Sequence, residues 1–172
     1  MWRLLFAPIL MVLYDYVKPP IDLLYFTNPH RPLLGIQNTF RDLVHCFSEH
    51  DVKHYPGLLL LKLHYSKLRE EFERVSPTLK KTWYHDTNPW FEKNDGYYFY
   101  KADQFPLLKS LINQIQCIHT EGASFAVIEG PMVLHPHRAE SNELLRYQLA
   151  IHGDGDCSLY TENGRHIHRE GE

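Results

Sequence analysis

The hydrophobic period of this chain changes near residue 120, and that change most constrains its fold. Before it, apolar side chains recur at helical spacing, most clearly over residues 58–75. After it, short segments alternate with a period of two between turns, over residues 124–129, 144–151, 157–161 and 165–168. Helices followed by short antiparallel strands predict an α+β chain whose second half is a sandwich or barrel.

Further elements can be placed on the same grounds. A helix is predicted from a cap at Asn38 or Thr39 to about Glu49, and another over residues 105–116 with Pro106 near its first turn. A strand is predicted over residues 97–100. Asn163-Gly164 is a strong signal for a β-hairpin between the last two strands.

Length and charge indicate one globular domain with an N-terminal extension. The chain has 172 residues and a formal net charge of -3. We expect an apolar segment and a proline-containing linker at residues 1–30, and the domain at residues 31–172. Because the basic residues form no run or stripe, DNA and RNA are excluded as partners.

The apolar run at residues 4–14 has three interpretations. It is shorter than the roughly 20 apolar residues that span a membrane. The run is either the core of a signal peptide, or an interfacial anchor that would associate the chain with a membrane, or a helix packed on the domain. The chain is therefore expected to be membrane-associated or cytoplasmic.

Residues 132–151 contain the candidate metal-binding and cosubstrate-binding residues. A His-Pro-His run is followed by Arg146 in an apolar segment, and strand parity places Gln148 on the same face as this arginine. A guanidinium binds a carboxylate bidentately and an amide adds a neutral hydrogen bond, whereas an arginine on a solvent-facing edge strand would bind nothing. We predict His137 as a metal ligand and Arg146 with Gln148 as the anchor of a carboxylate cosubstrate. Ala139 stands where an H-x-D iron site would have its carboxylate. Either another carboxylate binds the iron, or histidines alone bind it, or there is no iron.

The segment HPHRAESNELLRYQLAI, followed by GDGDCSLYTENGRHIHREGE, resembles the aspartyl/asparaginyl β-hydroxylase family of iron(II)- and 2-oxoglutarate-dependent dioxygenases. The family pattern is P-H-x-G-x-x-N-x-x-L-R-x-x-L-x-[LIV], then G-C-x-[LIV] and a W-x-E-G turn. The matching positions are Pro136, His137, Asn142, Leu145, Arg146, Leu149, Ile151, Cys157, Leu159, Glu170 and Gly171.

This resemblance implies a double-stranded β-helix, the jelly-roll or cupin-like fold. It also implies iron held by two histidines without a carboxylate, and hydroxylation of a β-carbon of aspartyl or asparaginyl residues or a related substrate, in a protein or a small molecule. His137 would be the first iron ligand and Arg146 would bind 2-oxoglutarate. Gln148 replaces a common histidine, and Arg138-Ala139 replaces the usual Thr-Gly.

In the family, the second iron histidine lies about ten residues beyond the E-G turn. That position falls after Glu172, so we expect the domain and its barrel to be C-terminally incomplete. We assign no catalytic residue and expect the chain alone to be inactive, which leaves open whether it acts as an enzyme.

Two other hypotheses remain. One is a non-catalytic jelly-roll binding module. The other is a zinc or nickel site built from His135, His137, His166 and His168, since an H-x-H pair on a strand places both imidazoles on one face.

Overall fold

The structure is a computed structural model that divides into two compact units. Unit 1 contains Met1–Glu49 and Val133–Tyr147, and unit 2 contains His50–Met132 and Gln148–Glu172. For residues 2–5 and 87 the backbone alone is described. The described residues are 2–19, 21–22, 25–44, 52–87, 96–116, 122–134, 137–139, 141–153, 157–161 and 163–172.

The described residues form both helices and strands, which confirms the α+β class. The helices are α1 (Trp2–Val17), α2 (Arg31–Val44), α3 (Leu58–Leu63), α4 (Tyr65–Val75), α5 (Tyr84–Thr87) and α6 (Pro106–Ile112). The strands are β1 (Thr82–Trp83), β2 (Tyr97–Lys101), β3 (Ser124–Ile128), β4 (Ser158–Thr161) and β5 (Gly164–Ile167). Short 3-10 turns lie at Val52–His54, Ser76–Thr78 and Ala102–Gln104.

In unit 1, side chains from α2 and from the connection that precedes it hydrogen-bond to the α1 backbone. The hydroxyl of Thr39 donates to the carbonyl of Met11 at 2.9 Å. The hydroxyl of Tyr25 lies 3.4 Å from the carbonyl of Val12. Among the described residues, no helix is both long enough and apolar enough to cross a membrane.

Helix α2 begins earlier than predicted, at Arg31. Pro32 fits the first turn of a helix, because the N–H that proline lacks would have no partner there. The prediction that Asn38 or Thr39 caps this helix is wrong, since both are buried in its interior. Its predicted end near residue 49 lies outside the described residues.

In unit 2, the predicted helix over residues 58–75 forms but is divided at His64 into α3 and α4. The backbone of His64 leaves the helical region at φ -105° and ψ 12°. Its ring Nδ1 lies 2.9 Å from the carbonyl oxygen of Leu60. The predicted apolar stripe is confirmed by the burial of Leu58, Leu61 and Leu68.

The core of unit 2 is a cluster of aromatic rings. Phe105 is fully buried, and its ring packs edge-on against Phe125 with centroids 4.6 Å apart. Phe72 on α4 lies 5.1 Å from Phe125, and Tyr100 on β2 lies 6.0 Å from Phe72. Aromatic pairs of this kind add about 0.5–1.5 kcal/mol each beyond their burial.

A buried carboxylate joins α4 to α6. Glu71 accepts hydrogen bonds from the backbone N–H groups of Leu107 at 2.7 Å and Leu108 at 3.0 Å. These groups lie in the first turn of α6, where they have no partner within the helix. Glu71 therefore supplies from α4 the cap that α6 lacks in its own sequence.

The described strands form two small antiparallel sheets and no closed barrel. One has the order β1-β2-β3, with Tyr97 paired to Ile128 and Lys101 to Ser124 across β2 and β3. The other is the predicted hairpin of β4 and β5. Gly164 has a φ of 118°, which explains the glycine at this turn. The double-stranded β-helix stays a prediction.

The predicted strand over residues 144–151 is wrong. Within the described part of the chain this segment is irregular and pairs with no strand, and Leu144, Leu145 and Arg146 are all exposed. An alternating sequence separates its two faces only where a neighbouring strand and a core lie against it. Without them, strand parity does not place Arg146 and Gln148 on a common face.

Candidate functional site

The candidate segment, residues 133–147, belongs to unit 1 and is bonded to α2. The backbone N–H of Asn142 donates to the side-chain oxygen of Asn38 at 3.1 Å. The amide of Asn142 donates to the carbonyl of Asn38 at 3.0 Å and to Asp42 at 2.9 Å. The buried asparagine of α2 thus fixes the middle of the motif.

A cation on the same helix strengthens this attachment. Arg41 donates to the hydroxyl of Ser141 at 3.2 Å and pairs with Glu143 at 3.1 Å. Because the Glu143 side chain is largely exposed, this ion pair contributes no more than about 1 kcal/mol. The segment is therefore positioned chiefly by the Asn142 bonds.

Arg138 joins the segment to α1. Its guanidinium donates to the backbone carbonyl of Asp15, and Nη1 lies 3.7 Å from the carboxylate of Asp15. The Asp15 side chain is almost completely buried. The Nε of Arg138 is also buried and makes no hydrogen bond to the described residues.

Tyr25 forms a polar cluster with Asp15 and Arg138. Burial, and then the charge and hydrogen bond of the Asp15 carboxylate, raise the pKa of Tyr25 to about 12, while Arg31 and Arg138 oppose that rise. The phenol is therefore neutral at physiological pH.

A cavity of about 280 Å³, lined by both polar and apolar residues, lies within unit 1. Its cations have carboxylate partners, because Arg31 lies 3.4 Å from Asp22 and Lys18 pairs with Asp42. Arg138 pairs with Asp15. Among the described residues, the cavity therefore contains no unpaired cation that could bind a carboxylate ligand. It is lined by Asp15, Lys18, Arg31, Asn38, Arg138, Ala139, Ser141, Asn142, Leu144 and Leu145.

The predicted site residues do not line this cavity. His137 and Arg146 are exposed in unit 1, and Gln148 is exposed in unit 2. Neither Arg146 nor Gln148 makes a hydrogen bond or ion pair with another described residue. Their roles, and that of His137 as a metal ligand, stay predictions.

No group of three histidine, cysteine, aspartate or glutamate side chains is placed to hold a metal ion in the described stretches. His135 lies outside them. His166 on β5 is exposed and contacts the hydroxyl of Thr161 at 3.1 Å. The described histidines therefore do not assemble the zinc or nickel site.

In unit 2, the Glu170-Gly171 turn is bonded to α4. Glu170 accepts from Arg69 at 2.8 Å and from the N–H of Gly153 at 3.2 Å. Gly171 has a φ of 79°, and a Cβ there would lie 3.2 Å from the ring of Tyr65. Both the backbone conformation and the close packing require glycine at this position of the motif.

The polar residues of the α1–α2 interface were not predicted. Their signal was nevertheless present, because Arg31, Asn38 and Asp42 recur at helical spacing on α2, with Gly35 between them.

Comparison with known proteins gives one family. The family model described as aspartyl/asparaginyl beta-hydroxylase matches residues 62–172, which is more than half of the chain. No curated protein and no solved structure matches significantly. The matched residues include the motif from His137 to Gly171 and confirm the resemblance. The chain therefore belongs to the aspartyl/asparaginyl β-hydroxylase family.

Proposed function

We propose that this chain works in the iron(II)- and 2-oxoglutarate-dependent hydroxylation of a β-carbon, on an aspartyl or asparaginyl residue or a related substrate. The observation that carries the proposal is the family match over residues 62–172. The domain would comprise residues 31–172, with a double-stranded β-helix as its fold.

Among the described residues no three potential metal ligands are grouped together, whereas the site implied by the resemblance needs only two histidines. In this part of the chain, the imidazole of His137 is the one proposed donor. Neutral imidazole is a suitable donor for iron(II).

Arg146 is the residue proposed to bind 2-oxoglutarate. Its side chain is exposed, and no described residue forms an ion pair with it. A guanidinium can form two parallel hydrogen bonds with one carboxylate, and the amide of Gln148 could add a third from the same segment. What supports the role of Arg146 is its position in the family motif, whereas Gln148 stands where the family commonly has a histidine.

The first test is the binding of 2-oxoglutarate to the full chain, measured by calorimetry with and without iron(II). Removing a hydrogen bond to a charged group costs about 1.5–3 kcal/mol, so Arg146→Gln should weaken binding about 10- to 150-fold. Arg165→Gln is the matched control, since Arg165 is an exposed arginine outside the proposed site.

Equal affinity for wild type and Arg146→Gln would overturn the cosubstrate assignment. Succinate formation is recorded separately, because it requires a complete iron site as well as bound 2-oxoglutarate.

A second function is a non-catalytic binding module. It is favoured by the irregular backbone around Arg146. A folded chain that binds no 2-oxoglutarate and forms no succinate would support it.

A further inference from the structure

Helix α1 exposes an apolar stripe along one side. With 3.6 residues per turn, Leu13 and Val17 lie nearly half a turn from Asp15, which faces α2. The stripe is therefore directed away from the helix interface. Its members are about half to two-thirds exposed, and they are Phe6, Ile9, Leu10, Leu13 and Val17.

Helix α2 has the same arrangement. Its side toward α1 carries Gly35, whose Cβ position lies 3.0 Å from the Asp15 carboxylate, and Thr39, which bonds to α1. Leu33, Phe40 and Val44 lie roughly 140–180° around the helix from Gly35, and all three are about 60% exposed. The exposed Gln37 lies on the same side, about 160° from Gly35 in the other direction, so this stripe includes one uncharged polar residue.

The interior between the helices is polar. Asp15, Arg31, Asn38 and Thr39 are each at least 96% buried. Their contacts are internal, including the pair of Arg31 with Asp22 at 3.4 Å. A surface helix in water normally has the opposite arrangement, with apolar residues inside and polar residues outside.

This inverted distribution matches the requirements of a lipid environment. In hydrocarbon, polar groups must be satisfied internally and charged side chains face the interior of a helix bundle. The described charged side chains of α1 and α2 are either buried, as Asp15 and Arg31 are, or paired with another charge, as the partly exposed Arg41 and Asp42 are. One carboxylate oxygen of Asp15 is buried and has no hydrogen-bond partner among the described residues.

The geometry also distinguishes lipid from a protein partner. Each stripe is directed away from the other helix, so the two stripes lie on opposite sides of the hairpin. One protein surface would cover one of them, whereas lipid surrounds both. The helices of 16 and 14 residues are about 24 and 21 Å long, less than the hydrocarbon thickness of about 30 Å.

We propose that the α1–α2 hairpin inserts into the acyl region of a lipid bilayer without crossing it, with its polar interior shielded from lipid. Because the inserted hairpin includes α2, the proposal goes beyond an anchor formed by the apolar N-terminal run alone. The inference does not rest on the hydroxylase function.

The test is flotation of the full chain with phosphatidylcholine vesicles. Wild type should float with the vesicles at low and high salt, because the inserting surface is apolar and ionic screening does not weaken apolar burial. Leu13→Glu and Phe40→Glu, one on each helix, should each lower the bound fraction at least about tenfold, because a carboxylate in hydrocarbon is costly. Leu63→Glu on α3 is the matched control, since Leu63 is 78% exposed, and it should bind as wild type.

A conservative variant covers the case in which the glutamate variants do not fold. Leu13→Trp keeps the surface apolar. The fluorescence that this variant adds to that of wild type should be quenched by lipids brominated on the acyl chains. Absence of flotation by folded wild type, or unquenched fluorescence in bound Leu13→Trp, would overturn the proposal. A vesicle-free dimer that dissociates on Leu13→Glu substitution would instead assign the surface to a second copy of the chain.

Discussion

Among the described residues, units 1 and 2 differ in the kind of side chain that they mostly bury. The α1–α2 interface of unit 1 buries Asp15, Arg31 and Asn38, while the residues buried in unit 2 are mostly apolar or aromatic, such as Leu68 and Phe105, with Glu71 as an exception. The exposed surfaces differ correspondingly, because α1 and α2 carry apolar stripes on their outer sides. One chain therefore uses directional polar contacts in one unit and close apolar packing in the other.

The two interiors should respond differently to mutation. A net hydrogen bond contributes only about 0.5–1.5 kcal/mol, but a buried polar group left without a partner costs about 1–3 kcal/mol. In an apolar core the cost follows the volume removed. Unit 2 should therefore be most sensitive to lost volume, and unit 1 to displaced polar atoms.

The largest effect is expected for Phe105→Ala in unit 2. Phe105 is fully buried and contacts Phe125 edge-on at 4.6 Å. Loss of its ring should lower the free energy of unfolding by about 3–5 kcal/mol, because buried volume and aromatic contacts disappear together. Urea denaturation followed by near-ultraviolet circular dichroism measures this change.

The exposed Leu63 provides the control, and Leu63→Ala should change the unfolding free energy by less than about 0.5 kcal/mol. A loss below about 1 kcal/mol for Phe105→Ala would mean that the aromatic cluster is not the stabilising core of unit 2.

A smaller effect is expected for Gly35→Ala in unit 1. Alanine favours a helix by about 1 kcal/mol over glycine. A Cβ at this position, however, would collide with the hydroxyl of the buried Tyr25. Overpacking costs about 1–3 kcal/mol, so we expect net destabilisation, measured as faster hydrogen exchange of the α1 and α2 amides.

A double variant identifies the cause. Tyr25→Phe removes the colliding oxygen and should restore part of the stability lost in Gly35→Ala, so that the two changes are non-additive. Gly122→Ala, where an added Cβ meets nothing within 4 Å, should show no such coupling. Additive effects at positions 35 and 25 would contradict the close approach described for these residues.

The sequence predicted the elements whose pattern is set by local packing. The stripe over residues 58–75, the strands predicted at 97–100 and 124–129 and the terminal hairpin follow from period and turn residues, and all four form. The break at His64 was not predicted, because the apolar period continues through it while its ring bonds to Leu60.

Features that depend on distant partners were not predictable in this way. The segment at residues 144–151 has a strand-like sequence but no described neighbouring strand, and its contacts include the bond from the N–H of Ala150 to the carbonyl of Glu172 at 2.9 Å. Likewise, the roles of Asn38 and Arg138 depend on each having a partner about a hundred residues away. The family motif located His137 and Arg146, but periodicity cannot show what either residue binds.

An effect expected only at alkaline pH, and absent at neutral pH, concerns the ionisation of Tyr25. Its pKa of about 12 in the folded chain lies above the value of 10 for an ordinary tyrosine, mainly because of burial and the Asp15 carboxylate. The contribution to stability is therefore complete below pH 10 and is lost as the pH rises toward 12. Subtracting the phenolate absorbance titration of Tyr25→Phe from that of wild type should isolate a transition near pH 12, which Asp15→Asn should shift to lower pH. A transition at pH 10 would show that the tyrosine is solvated, and the polar interior that distinguishes unit 1 from unit 2 would not be closed to water.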